Sequence, residues 1–344
     1  MRSRVVDNGN GLAMHVLEAG KAGRPGVLLL HGFPELAYSW RKVMPALAAA
    51  GFHVVAPDQR GYGRTTGWDA AYDGDVDSFR LLNLVRDTLG LVSALGWRSM
   101  AAVVGHDFGA AVAGNCALLH PEVFRSVVLM SAPFGGPATR DIGAELAALP
   151  RPRKHYQWYY SMCEANGDMW RCAQGVPAFL RAYFHMKSAD WPGNKPFRLA
   201  SWSAAELAKM PAYYIMDLDR TMAETVAPEM PSTAAAWLTE DELAVYSAEY
   251  ARTGFQGGLQ WYRCRTEGRN SDLAPFAART IDVPSMFIAG ASDWGIYQVP
   301  GALEAMQQNA CTRMRGCHLL EGAGHWAQQE RPEEVVRLLL EFLA

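Results

Sequence analysis

Over the first 130 residues, short apolar runs alternate with longer stretches of helical periodicity. Val27–Leu30 is unbroken by polar residues, the pattern of a strand covered on both faces, and it runs into His31-Gly32-Phe33-Pro34. Ala37–Ala50 reads as a helix stopped by Gly51. His53–Pro57 is the next strand, ending at Asp58. Ser78–Leu95 predicts a long amphipathic helix with Gly96 after it. Met100–Val104 predicts a strand, Gly105–Gly109 a tight turn, and the residues up to about His120 a helix. Ser126–Met130 is a further strand. Such alternation predicts an α/β fold, a mostly parallel sheet with helices on both faces.

The pattern breaks at Gly136. From there to Gly268 the chain is rich in Trp, Tyr and Met, with helical fragments separated by Pro and Gly, and nothing alternates like a sheet. Afterwards the earlier rhythm returns, with strands at Pro284–Ala289 and Cys317–Leu320 and helices at Gly301–Gln308 and Pro332–Leu343. A helical insert therefore interrupts one α/β domain: residues 1–135 and 269–344 form the core and residues 136–268 a cap. The 344 residues exceed the roughly 100–200 of a typical domain. There is no internal repeat.

Composition narrows the function. With 32 Lys plus Arg against 35 Asp plus Glu, the net charge of −3 offers no footprint for nucleic acid or an anionic membrane. No apolar run approaches the ~20 residues that span a bilayer, and residues 1–9 lack an apolar signal core. The six cysteines form no C-x-x-C pair and the nine histidines no H-E-x-x-H. A cytoplasmic protein with free thiols and no metal is the expectation.

Candidate chemistry begins at Gly105-His106-Asp107-Phe108-Gly109. Small residues flank a central side chain on a strand-to-helix turn, the arrangement of a nucleophile elbow. The central residue is Asp rather than Ser. An isolated motif of this kind also fits a loop aspartate capping the next helix; its place between an apolar strand and a helix favours the elbow. Asp293 falls just past a strand, in Phe287–Asp293, and His325 lies in the glycine-rich turn Glu321–Trp326 after the last strand. Nucleophile, acid, His is the chain order of α/β-hydrolases, and all three would reach the carboxyl edge of the sheet, where such folds place ligands. Asp282 precedes its strand and falls at the wrong edge. His318 sits within a strand and reads as packed.

These segments resemble the α/β-hydrolase-fold epoxide hydrolases of the soluble type, over most of the chain from about Gly26. His31–Pro34 matches their H-G-x-P motif, Asp58-Gln59-Arg60-Gly61-Tyr62-Gly63 their D-x-x-G-x-G turn, and Gly105–Gly109 their elbow. Gly324-His325-Trp326 resembles the segment around their base. Gly254–Arg263 resembles the stretch that carries one catalytic cap tyrosine, which places it at Tyr262, and His155–Tyr159 the stretch that carries the other, at Tyr156. The resemblance implies the α/β-hydrolase fold with an inserted cap, hydrolysis of a small epoxide by water, and no cofactor. Residues 188–232 make the insert longer than the family pattern.

The residues themselves fit that chemistry. A carboxylate is ionised near pH 7 and attacks without a base. Attack on an sp³ carbon gives an alkyl ester, and His325, oriented by Asp293, can then activate water against it. The backbone N–H groups of Phe33 and Phe108 are placed to hold the oxyanion, with Pro34 holding the first loop. An opening epoxide leaves as an alkoxide and needs a donor, which a phenol of pKa about 10 supplies. A halide needs only N–H donors. The related haloalkane dehalogenases put Asn and Trp where this chain has Phe33 and Phe108, and fluoroacetate dehalogenases put Arg at the second position. A dehalogenase is therefore the second enzyme reading, and a ligand receptor on the same fold the non-catalytic one. Pro34, Phe134, Trp158, Met162 and Trp261 are expected to line the substrate pocket. Tyr159, Tyr160, Tyr183, Tyr213, Tyr214 and Tyr246 are further cap phenols. His106 is expected to pack the elbow, and Arg151–Lys154 to be a solvated run.

Overall fold

In the computed structural model, which describes residues 1–344, the strands are β1 (Arg2–Asp7), β2 (Ala13–Ala19), β3 (Gly26–Leu30), β4 (His53–Pro57), β5 (Ala102–His106), β6 (Val127–Met130), β7 (Arg153–His155), β8 (Ile215–Asp217), β9 (Ser285–Gly290) and β10 (Met314–Leu320). Eight of them form one sheet in the order β1-β2-β4-β3-β5-β6-β9-β10. The six strands from β4 to β10 in that order run parallel, and β2 joins β4 antiparallel. Strands β3, β4, β5, β6 and β9 are buried along their whole length, which is why they read as continuous apolar runs.

Alternate residues serve opposite faces. Val27, Leu29, Val54, Val104 and Val128 pack into a core completed by helices α1 (Met44–Ala49) and α9 (Pro332–Leu343). Leu28, Leu30, Val55, Val103 and Leu129 face the other way, against α2 (Leu81–Ala94) and α3 (Phe108–Leu119), and that core runs on into the insert without a break. The insert lies between β6 and β9. Its principal helices are α4 (Tyr156–Tyr160), α5 (Gly175–Lys187), α6 (Glu240–Thr253) and α7 (Gln256–Thr266); the short α8 (Ala327–Glu330) precedes α9 in the core. No helix is long and apolar enough to cross a membrane.

Several expectations change. Ala37–Ala50 is not one helix: a 3₁₀ turn at Ala37–Trp40 gives way to α1, which carries Pro45 in its first turn, where the missing N–H is harmless. Ser78–Leu95 is likewise broken at Arg80, whose backbone is extended (φ −61°, ψ 145°); Asn270 Oδ1 then accepts the Leu81 N–H at 2.8 Å. The insert does contain a small sheet, with β7 antiparallel to β8. The β1–β2 hairpin at the sheet edge was not anticipated.

Candidate active site

At the end of β5 the chain turns sharply into α3, and Asp107 occupies the turn at φ 54°, ψ −120°. A non-glycine residue in such a conformation costs about 1–3 kcal/mol and persists only where its surroundings enforce it. Here they do: a Cβ on Gly105 would lie 2.1 Å from Gly109 O, and one on Gly109 would lie 2.4 Å from Leu30 O. Strand, turn and helix thus touch backbone to backbone and lift the Asp107 side chain above the sheet edge.

Three other loops meet there. Asp107 Oδ1 accepts the Phe33 N–H at 3.1 Å. The Phe108 N–H, at the first position of α3, has no protein partner, as expected for a helix start. Past β9, both oxygens of Asp293 stand 3.1 Å from His325 Nδ1, and Oδ1 also accepts the Gly295 N–H at 2.7 Å. The carboxylate fixes the ring with its proton on Nδ1. On the other side, His325 Nε2 lies 3.3 Å from Asp107 Oδ2, off the line of a hydrogen bond.

The electrostatics follow from this crowding. Burial alone would raise the Asp107 pKa, but contact with His325 and the charges of His325 and Lys187 hold it well below the usual carboxylate range. For His325, burial and the Lys187 charge disfavour protonation; the Asp293 charge and contact with both carboxylates outweigh them, and its pKa is pushed up to about 9.

Above Asp107 a cavity of about 240 Å³ is bounded by Phe108, Phe134, Tyr156, Tyr262, Gln157 and Gln298. The rings of Tyr156 and Tyr262 stand 5.9 Å apart. Burial first, and then the Asp107 charge, lifts both phenols above their ordinary pKa, so they remain neutral donors. Tyr156 donates to Gln298 Oε1 at 3.1 Å and accepts from Gln157 Nε2 at 3.0 Å. The Tyr262 hydroxyl makes no hydrogen bond within the protein, while its ring packs against Phe33, Phe108 and Tyr160 at 5.0–5.6 Å.

A family model for the α/β hydrolase fold matches residues 25–332. Epoxide hydrolase A of Mycobacterium tuberculosis is 38% identical, with 99% of this chain and 96% of the relative covered. An epoxide hydrolase of Caballeronia sordidicola is 33% identical over 97% of this chain and 91% of its own. The solved structure of an epoxide hydrolase from an endophytic Streptomyces superposes with a TM-score of 0.83 at 35% identity, covering 99% and 95% of the two chains. The chain belongs to the epoxide hydrolase family of the α/β-hydrolase fold.

For this family member, the expected pocket lining is only partly gathered at the cavity. Phe134 is on its wall. Met162 is 48% exposed on the outer surface, because Tyr156 and Tyr160 take the inward face of α4. Trp158 is half-buried, edge-on to His155. Trp261 stands behind Phe108 at 5.3 Å, with its indole N–H given to Arg60 O. Pro34, joined to Phe33 by a cis bond, is buried in its loop and does not reach the wall. Among the other cap phenols, Tyr159 donates to Asp168 and Tyr160 to Tyr183, so both are engaged elsewhere. Asp282 accepts from the Thr280 and Thr312 hydroxyls near the start of β9, and His318 lies within β10.

Glu35 and Lys187 were not singled out from the sequence, whereas His106 was expected only to pack the elbow. His106 is fully buried and does more than pack: its Nδ1 is 2.5 Å from Glu35 Oε2, and its Nε2 is 2.7 Å from the carbonyl of His325. Glu35 also accepts the Gly32 N–H and the Gln328 amide. Its place directly after His31–Pro34 was the available signal. Lys187, 4% exposed, forms no ion pair; its ammonium lies 5.2–5.9 Å from the rings of Tyr183, Tyr213, Tyr214 and Trp326. A single lysine near the end of a cap helix gave no sign of this.

Proposed function

We propose that this chain converts an epoxide and water into a vicinal diol through a covalent ester on Asp107. One observation carries the reading: a carboxylate and two neutral phenols, Tyr156 and Tyr262, converge on one small cavity beside the His325–Asp293 pair. Asp107 Oδ1 is held by the Phe33 N–H, so Oδ2 is the oxygen free to attack. It forms a bond to a ring carbon as the carbon–oxygen bond breaks, and a phenol passes its proton to the leaving alkoxide. The ester carbonyl then lies among the N–H groups of Phe33 and Phe108, which stabilise the oxyanion. His325 takes a proton from water, and the hydroxide adds to the Asp107 carbonyl. Collapse releases the diol and regenerates the carboxylate, and the histidine proton restores the phenol.

Ester formation also retunes the base. Asp107 becomes neutral and no longer favours imidazolium, while burial and Lys187 still oppose it. His325 therefore loses its proton more readily once the ester exists. Phe33 and Phe108 have no side-chain donors, and the Trp261 N–H is committed to Arg60, so little is provided for a departing halide. Residues 136–268 serve as the cap over a core of residues 1–135 and 269–344. Six unpaired thiols fit a cytoplasmic setting.

The test is turnover of a panel containing styrene oxide, aliphatic and trans-disubstituted epoxides, with diol detection, beside a haloalkane with chloride detection. Diol without chloride is expected. Chloride release would make the protein a dehalogenase, and stoichiometric binding without product would make it a receptor.

A further inference from the structure

The turn that carries His325 has almost no hydrogen bonds of its own. Buried backbone N–H groups need partners, and around His325 they find them outside the turn. The N–H of Gly324 goes to Glu330 Oε2 at 3.0 Å, that of Trp326 to Glu330 Oε1 at 2.9 Å, and that of His325 to the carbonyl of Lys187 at 2.8 Å. Lys187 ends cap helix α5. One residue past that helix's C-cap, the Ala189 N–H returns the connection, donating to Glu330 Oε2 at 2.8 Å. The Trp326 indole also donates to Phe184 O in α5, at 2.8 Å. The two segments touch so closely that a Cβ on Gly324 would lie 2.5–2.6 Å from backbone atoms of Lys187, Ser188 and Ala189.

One carboxylate thus accepts N–H groups on both sides of the histidine and one from the cap. We propose that Glu330 is a positioning residue for the second chemical step, fixing His325 relative to Asp107 and tying that placement to a seated cap. The proposal rests on the two-step epoxide reading above. The alkylating step uses Asp107 and the phenols, none of which Glu330 touches. The hydrolytic step needs the imidazole, a water and the ester carbonyl in line, and a misplacement of about 1 Å in such an arrangement costs about 10²-fold.

The experiment is single-turnover kinetics with excess enzyme and styrene oxide, following ester formation and decay separately in wild type, Glu330→Ala and Glu330→Gln. Ester formation should stay within about twofold, because its groups are untouched, while decay should slow about 10²-fold in Glu330→Ala. Glu330→Gln, which keeps one accepting oxygen, should fall between. Glu330→Gln, which keeps the length of the side chain, carries the test if Glu330→Ala does not fold. Unchanged decay with a lowered Tm would reduce Glu330 to a structural role and overturn the proposal. Equal losses in both steps would overturn it too. A wild type that forms neither ester nor diol with any epoxide of the panel above would instead overturn the epoxide reading.

Discussion

Replacing Tyr262 by Phe should cripple ester formation and leave the fold untouched. The hydroxyl has no protein partner, so its removal orphans nothing, and the ring keeps its contacts with Phe33, Phe108 and Tyr160. The expected stability change is within about 0.5 kcal/mol. At about 2 cal/mol/K of unfolding entropy per residue, 344 residues make this a Tm shift of under about 1 °C. Loss of one donor to a developing oxyanion typically costs about 10²–10³-fold. Tyr156→Phe differs, because it leaves Gln157 Nε2 and Gln298 Oε1 without their phenol partner. Gln157 is the buried one of the two, whereas Gln298 borders the cavity; one unmet buried polar group costs about 1–3 kcal/mol, so this variant should lose about 1–4 °C of Tm. Its loss in rate should be the smaller of the two, since its proton is already shared with Gln298. The assay is stopped-flow tryptophan fluorescence in single turnover, with thermal melts on the same preparations. The double variant should form almost no ester. Wild-type ester formation in the double variant would make both phenols pocket wall and refute the donor argument.

Two further outcomes follow from the same site. His325→Gln should still form the ester but not release it, and intact mass spectrometry should find an adduct of one substrate mass; an unmodified, inactive protein would place His325 in the first step. Lowering the pH should make the ester accumulate in wild type. Asp107 stays ionised far below neutrality, whereas His325 must lose its proton to act, and in the ester its pKa lies below the value of about 9 that two carboxylates impose in the free enzyme. Rapid-quench profiles check this, and accumulation at high pH instead would contradict the assigned base.

The parts of the molecule legible in the sequence were those with a local cause. Fully buried strands had to be apolar throughout, and the elbow needed Gly105 and Gly109 wherever backbone approaches backbone. Other features depend on distant partners. The break at Arg80 is completed by Asn270, 190 residues away. Strand β7 has only three residues and finds β8 about 60 residues on. The β1 strand is largely exposed, with Arg2 and Arg4 paired to Glu18, and so lacks an apolar signature. At the site, Asp107, Asp293 and His325 announce themselves by chain order, since each follows a strand end. The cap aromatics do not. Which of Trp158, Trp261 and Met162 faces inward is set by how α4 and α7 seat on the core, and no spacing encodes that. Buried charges such as Glu35 and Lys187 are invisible for the same reason: their neighbours come from other segments.

The claim on which everything rests is that the bond to substrate is made by Asp107 and not by water. Single turnover of an epoxide in heavy-oxygen water, followed by mass analysis of the diol and of the peptide containing Asp107, tests it directly. The account predicts an unlabelled diol oxygen drawn from the carboxylate and label incorporated into Asp107. Label appearing directly in the diol, with Asp107 unlabelled, would mean that water attacks the epoxide and would contradict the covalent mechanism.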